Sequence, residues 1–78
     1  MNEPTNICGP VVARLRRKKG LTQEDLQQRC KIAGWQVARS VLAKVEKQRR
    51  SVSDRELVML ARALRVKVAQ LLRNHAKA

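Results

Sequence analysis

The chain has 78 residues, 44% of them apolar, and carries 18 Lys and Arg against 6 Asp and Glu, a formal charge of +12. That length suits one small domain, and the apolar share excludes a disordered tail. Phe and Tyr are absent, Leu, Val and Ala dominate the apolar set, and no alternating β-branched runs occur, so a helical fold is expected.

Residues 1–8, with Pro4, read as a flexible lead. Gly9 and Pro10 open a first helix, since proline fits the first helical position. Its apolar side is Val12 and Leu15, its last turn is cationic, and Gly20 ends it. Thr22 is a good N-cap for a second helix, with Asp25 in the place of a capping-box acid. Leu26 and Cys30 face inward. The stretch "KIAGW" reads as one further turn, a glycine stop at Gly34 and a fold-back of Trp35 against Cys30. The other readings are a loose loop with an exposed Trp35, or Trp35 stacked on a base. Stacking lacks companion aromatics. A third helix runs from about Ala38 to Lys47, with Val41, Leu42 and Val45 inward and Arg39, Ser40, Ala43, Lys44 and Lys47 outward. "QRRSV" is a basic connector. "SDRE" at Ser53–Glu56 is a capping box for a fourth helix with Leu57, Leu60, Ala61 and Leu64 on one face. A last short helix follows from Lys67 with Val68, Leu71 and Leu72, and 74–78 is a frayed tail. The domain itself is expected over residues 9–73.

Charge and inventory narrow the function. Self-repulsion at this charge is relieved by an acidic partner, most commonly nucleic acid. Arg14, Arg16, Arg17, Lys18 and Lys19 crowd one segment and Lys44, Lys47, Arg49 and Arg50 another, which argues against a merely soluble, highly charged surface. No segment pairs a basic face with an insertion face for a membrane, and "LVMLA" is too short to span one. No secretory signal is present, so a reducing cytoplasm is expected. Cys8 and Cys30 lack metal-ligand or disulfide-framework spacing; Cys30 suits a buried site and Cys8 a free thiol in the mobile lead. His75 is the only histidine and falls in the tail, so neither a metal cluster nor an acid–base pair is expected. We expect no cofactor, no enzymatic activity and no effector domain for a small molecule.

A short helix, a turn, and a second helix with small and basic outward residues present a helix to the DNA major groove. Ser40 and Ala43 allow close approach, Arg39 reaches guanine, and Lys44 reaches a base or a phosphate. Lys47, Arg49 and Arg50 are expected on phosphates.

Over roughly residues 10–72 the chain resembles the phage-repressor/Cro type of helix-turn-helix domain, the XRE family. The matching stretches are "RLRRKKGLTQEDL", "VARSVLAKVEKQRR" and "VMLARALRVKVAQLL". The resemblance implies an all-α, five-helix lambda-repressor-like bundle. It implies that Gln23 meets phosphate or supports the recognition helix, and that Arg16 and Glu46 form an ion pair linking the first and third helices. Three departures stand out. Gln27 replaces a small residue, Arg65 replaces a glycine, and the family's turn is shorter. The longer turn with "AGW" is similar to a subgroup of the family. It opens a choice for Gln36 and Arg39 between base and phosphate.

The expected function is sequence-specific binding of double-stranded DNA as a small regulator of the phage or mobile-element kind, working as a homodimer on DNA. Leu72 is the better candidate for an exposed dimer contact, Val68 and Leu71 for core. The alternative is an antitoxin, or a DNA-binding module whose main role is binding a protein partner. Non-specific coating of RNA or DNA is a third reading, disfavoured for single strands by the missing aromatics.

Overall fold

The computed structural model describes residues 4–72. Five helices follow in order: α1 (Gly9–Lys18), α2 (Gln23–Ala33), α3 (Arg39–Glu46), α4 (Asp54–Leu64) and α5 (Val68–Leu71). Among the described residues there is no strand. The expected all-α, five-helix architecture is therefore the one observed. The tail expected at 74–78 lies outside the described residues.

Helices α2 and α4 start on complete capping boxes. Thr22 accepts from the Asp25 N–H at 3.0 Å, and the Asp25 carboxylate accepts from the Thr22 N–H at 2.9 Å. Ser53 and Glu56 repeat the pattern at 3.2 and 3.1 Å. Helix α3 has no such start, because Ala38 occupies its N-cap.

The ends of α1 to α4 share one geometry. The chain turns left-handed at Gly20 (φ 72°), Gly34 (φ 110°), Gln48 (φ 61°) and Arg65 (φ 59°). In each case the following N–H reaches a carbonyl five residues back: Leu21 to Arg16, Trp35 to Cys30, Arg49 to Lys44 and Val66 to Ala61, at 2.8–3.0 Å. These bonds satisfy carbonyls that a helix end leaves without a partner. The "KIAGW" stretch thus closes α2, and Trp35 packs half-buried against the core. Val37 is buried as well, so the join between α2 and α3 is pinned rather than loose.

The core is aliphatic. Val11 and Val12 of α1, Leu26 and Cys30 of α2, Leu42 and Val45 of α3, Leu60 and Leu64 of α4, and Leu71 of α5 are all but fully buried. Each such leucine contributes about 1.5–3 kcal/mol on leaving water. Helix α2 makes its broadest contact with α4, while α1 and α3 pack on each other and brace the pair.

The N-terminal segment departs from the expected flexible lead. Cys8 is buried in the core at 2% exposure rather than mobile, and burial pushes its thiol pKa up. The reason is Asn6. Its side-chain amide donates to the Val45 and Arg50 carbonyls at 3.1 and 2.7 Å, while its Oδ1 accepts from the Gly9 N–H at 2.8 Å. Thr5 adds bonds from its N–H and hydroxyl to the Gln48 carbonyl at 3.2 and 2.9 Å. The start of α1 is thereby latched to the exit of α3. Gly9 is needed for the approach, since a Cβ there would collide with the Val45 carbonyl oxygen.

Candidate nucleic-acid interface

Helix α3 divides cleanly by face. Leu42 and Val45 are wholly buried. Arg39, Ser40 and Lys44 are exposed, Ala43 is half-buried between them, and Lys47 is exposed just past the last turn. Gln36 is exposed on the join before the helix, and Arg49 is exposed after it. The structure therefore brings Gln36, Arg39, Ser40, Ala43, Lys44, Lys47 and Arg49 along α3 and its two approaches. Small side chains lie mid-helix and cations at both ends. Arg39 lies 3.6 Å from Glu24, both side chains being more than half exposed. Screening by water leaves such a pair worth at most about 1 kcal/mol, so Arg39 can leave it for another anion.

The inner edge of α3 is fixed by Glu46. Arg16 grips this carboxylate with two N–H groups, Nε at 2.7 Å and Nη2 at 3.2 Å, and donates a third bond to the Leu21 carbonyl at 2.8 Å. Gln23 Nε2 adds a bond to Glu46 Oε1 at 3.0 Å. The Arg16 and Glu46 side chains retain only 11% and 6% of their exposure. The Arg16–Glu46 pair thus ties α1, the α1–α2 turn and the start of α2 to the last turn of α3. Gln23 is thereby bonded to the last turn of α3.

Arg50 does not belong with the exposed cations. Its guanidinium holds Glu56 with paired bonds of 2.9 and 3.0 Å and reaches the Ser51 carbonyl at 3.0 Å. The hydrogen bonds from Arg50, assisted by those from Ser53, hold the Glu56 carboxyl below its ordinary pKa. Arg50 therefore braces the connector against the start of α4. Sequence reasoning gave Glu56 only its capping role, because a partner six residues earlier across a connector has no helical spacing. It also missed Asn6, whose polar side chain acquires its role only through the fold. Gln27 is a third case. Its Nε2 donates to the Val37 carbonyl at 3.1 Å, filling the space between α2 and the long join.

Among the described residues no cluster of His, Cys, Asp and Glu could hold a metal, and no helix is long and apolar enough to cross a membrane. A helix-turn-helix family model matches residues 12–71. The chain belongs to the XRE-type helix-turn-helix family, a DNA-binding family. No curated protein and no solved structure matches it. Within the matched span, α2 and α3 form the helix-turn-helix pair, and α1, α4 and α5 form the scaffold that holds it.

Proposed function

We propose that this helix-turn-helix protein is a small transcriptional regulator of the phage or mobile-element kind that reads double-stranded DNA sequence-specifically. The observation that carries the reading is the division of α3. Its inner edge is locked by Leu42, Val45 and Glu46, and its outer edge is left to Arg39, Ser40, Ala43 and Lys44. A rigid helix with short side chains mid-face enters the major groove closely, and its long cationic side chains reach base edges. In this reading Arg39 and Lys44 contact bases, Gln36 contacts a base or phosphate at the groove edge, and Lys47 and Arg49 hold phosphates. Arg50 acts through the connector. Gln23 acts through Glu46.

The working unit is a homodimer on DNA, because one domain of this size covers too few base pairs to select a site alone. The pairing surface we favour is the uncharged hollow of about 260 Å³ between the N-terminal segment, the start of α4 and the end of α5, lined by Ile7, Val52, Leu57 and Leu72. Such a surface lets two highly cationic chains meet without opposing charges.

Selection of bound duplexes from a random library, followed by footprinting, tests both statements. The expected outcome is an inverted repeat with half-sites about 34 Å apart, one helical turn. Arg39→Ala should change the preferred sequence, whereas Arg49→Ala should weaken all sequences alike and reduce the salt slope by about 0.9. Recovery of no preferred sequence removes the regulator reading. A single unsymmetrical half-site saturated by one protomer removes the dimer.

A further inference from the structure

The ends of α2 and α4 lie side by side. Arg29, Ile32 and Ala33 of α2 and Arg62, Ala63 and Arg65 at the end of α4 line a shallow cavity of about 180 Å³. Arg29 Nη1 donates to the Ala63 carbonyl at 3.3 Å and holds the two ends together. Along α2 these residues lie roughly 9–15 Å from Gln23, where the helix meets the exit of α3.

Three features set this patch apart from the rest of the described surface. Ile32 is 85% exposed, the most exposed large apolar side chain among the described residues. Three arginines line one cavity, and among the described residues none has a carboxylate within ion-pair distance. Arg65 sits in the left-handed region at φ 59°, where glycine is unstrained and a side chain costs about 1–2 kcal/mol. Unfavourable backbone, unpaired charge and exposed apolar surface at one place mark a surface that a ligand completes.

We propose that this patch docks an acidic segment of another protein, with one aliphatic side chain of that segment packed on Ile32, Ala33 and Ala63. Carboxylates of the segment pair with Arg29, Arg62 and Arg65, for which the planar guanidinium is well suited. The apolar floor distinguishes this occupant from a nucleic-acid backbone, which has nothing to place on Ile32. A second copy of the chain is disfavoured, since two-fold pairing here sets three guanidinium groups against three. The proposal is independent of DNA reading and leaves the outer edge of α3 open.

The probe is a short synthetic peptide with one leucine flanked on each side by glutamates, together with its Leu→Ser counterpart. Each is titrated into the full chain and followed by backbone amide NMR. Shifts concentrated at 29–33 and 62–66 are expected. Affinity should fall about tenfold or more, equivalent to at least ~1.4 kcal/mol, on Ile32→Ser, on Arg62→Glu, or with the Leu→Ser peptide. Ile32 is exposed, so Ile32→Ser keeps the fold, and circular dichroism checks this. Absence of binding, shifts centred on α3, or equal affinity for the Leu→Ser peptide overturns the proposal. So does displacement of the peptide by duplex DNA with DNA shifts at the same amides, which makes the patch a nucleic-acid surface. Concentration-dependent shifts at the patch without peptide assign it to self-association and also overturn the proposal.

Discussion

Helices α1 and α2 end on Gly20 and Gly34, whereas α3 and α4 end in the same left-handed geometry on Gln48 and Arg65. The fold-back hydrogen bonds are alike in all four. The difference lies in what the capping residue does beyond the turn. Gly20 and Gly34 only release backbone strain. Gln48 adds a side-chain bond to the Asn6 carbonyl at 3.0 Å, fastening the N-terminal segment to the exit of α3. Arg65 is exposed and lines the cavity between α2 and α4. Glycine ends are structural stops, and the other two exchange backbone ease for a side chain.

The end of α3 is also held by tertiary bonds. Glu46→Ala leaves Arg16 buried with no carboxylate and removes the partner of Gln23. Breaking one side of a buried pair costs about 3–5 kcal/mol, a large part of the stability of so small a domain. A urea melt should show a much lower midpoint. A midpoint near wild type means that the cap alone holds this end and that the pair adds nothing.

The glycine ends come next. Gly34→Ala places a Cβ in a backbone conformation that L-residues avoid, so a loss of about 1–2 kcal/mol is expected although the nearest atom, the Met59 sulfur, is 3.9 Å away. Gly20→Ala meets no atom within 4 Å and should lose a similar amount. Equal thermal shifts for the two assign the loss to backbone strain. A loss at Gly34 alone points instead to packing against Met59.

These ends differ in how far the sequence discloses them. Gly20 and Gly34 follow periodic helical segments, and glycine there is a direct signal for a left-handed stop. Thr22 and Ser53 announce the starts in the same way, and the apolar face from Leu57 to Leu64 announces its own burial. Gln48 and Arg65 carry no such signal, since nothing local distinguishes them from ordinary surface residues. Arg65 was visible only as a departure from the glycine of a resembling family. The outward face of α3 could be read from helical spacing alone. Of the anchors behind it, the Arg16–Glu46 pair was legible through the family resemblance. The others were not, because Asn6 with the exit of α3, Arg50 with Glu56, and Gln27 with Val37 join elements through the fold rather than through periodicity. Cys8 was misjudged for the same reason, its burial following from the Asn6 latch.

Arg65→Gly should reverse the sign. The substitution relieves the left-handed strain and removes a side chain with no ion-pair partner among the described residues. A gain of about 0.5–1 kcal/mol is expected in the urea midpoint, after allowing for the greater freedom of glycine in the unfolded chain. A loss instead shows that the arginine stabilises the isolated fold and so weakens the case that its charge serves a partner.

Gln48→Gly should have the smallest effect, because two terms of similar size oppose each other. Backbone relief favours glycine by about 0.5–1 kcal/mol, as at Arg65. Loss of the bond to the Asn6 carbonyl opposes it by about 0.5–1.5 kcal/mol. The net change should lie within about 0.5 kcal/mol of zero. Gln48→Ala separates the terms. It keeps the strained backbone, removes the bond, and should lose about 1 kcal/mol. Faster amide exchange in the Thr5–Cys8 segment should accompany both variants, since that bond is part of the latch holding the segment to α3. If the glycine variant gains as much as Arg65→Gly and exchange at Thr5–Cys8 is unchanged, the Gln48 side chain holds nothing. The two non-glycine ends would then be equivalent in the free protein.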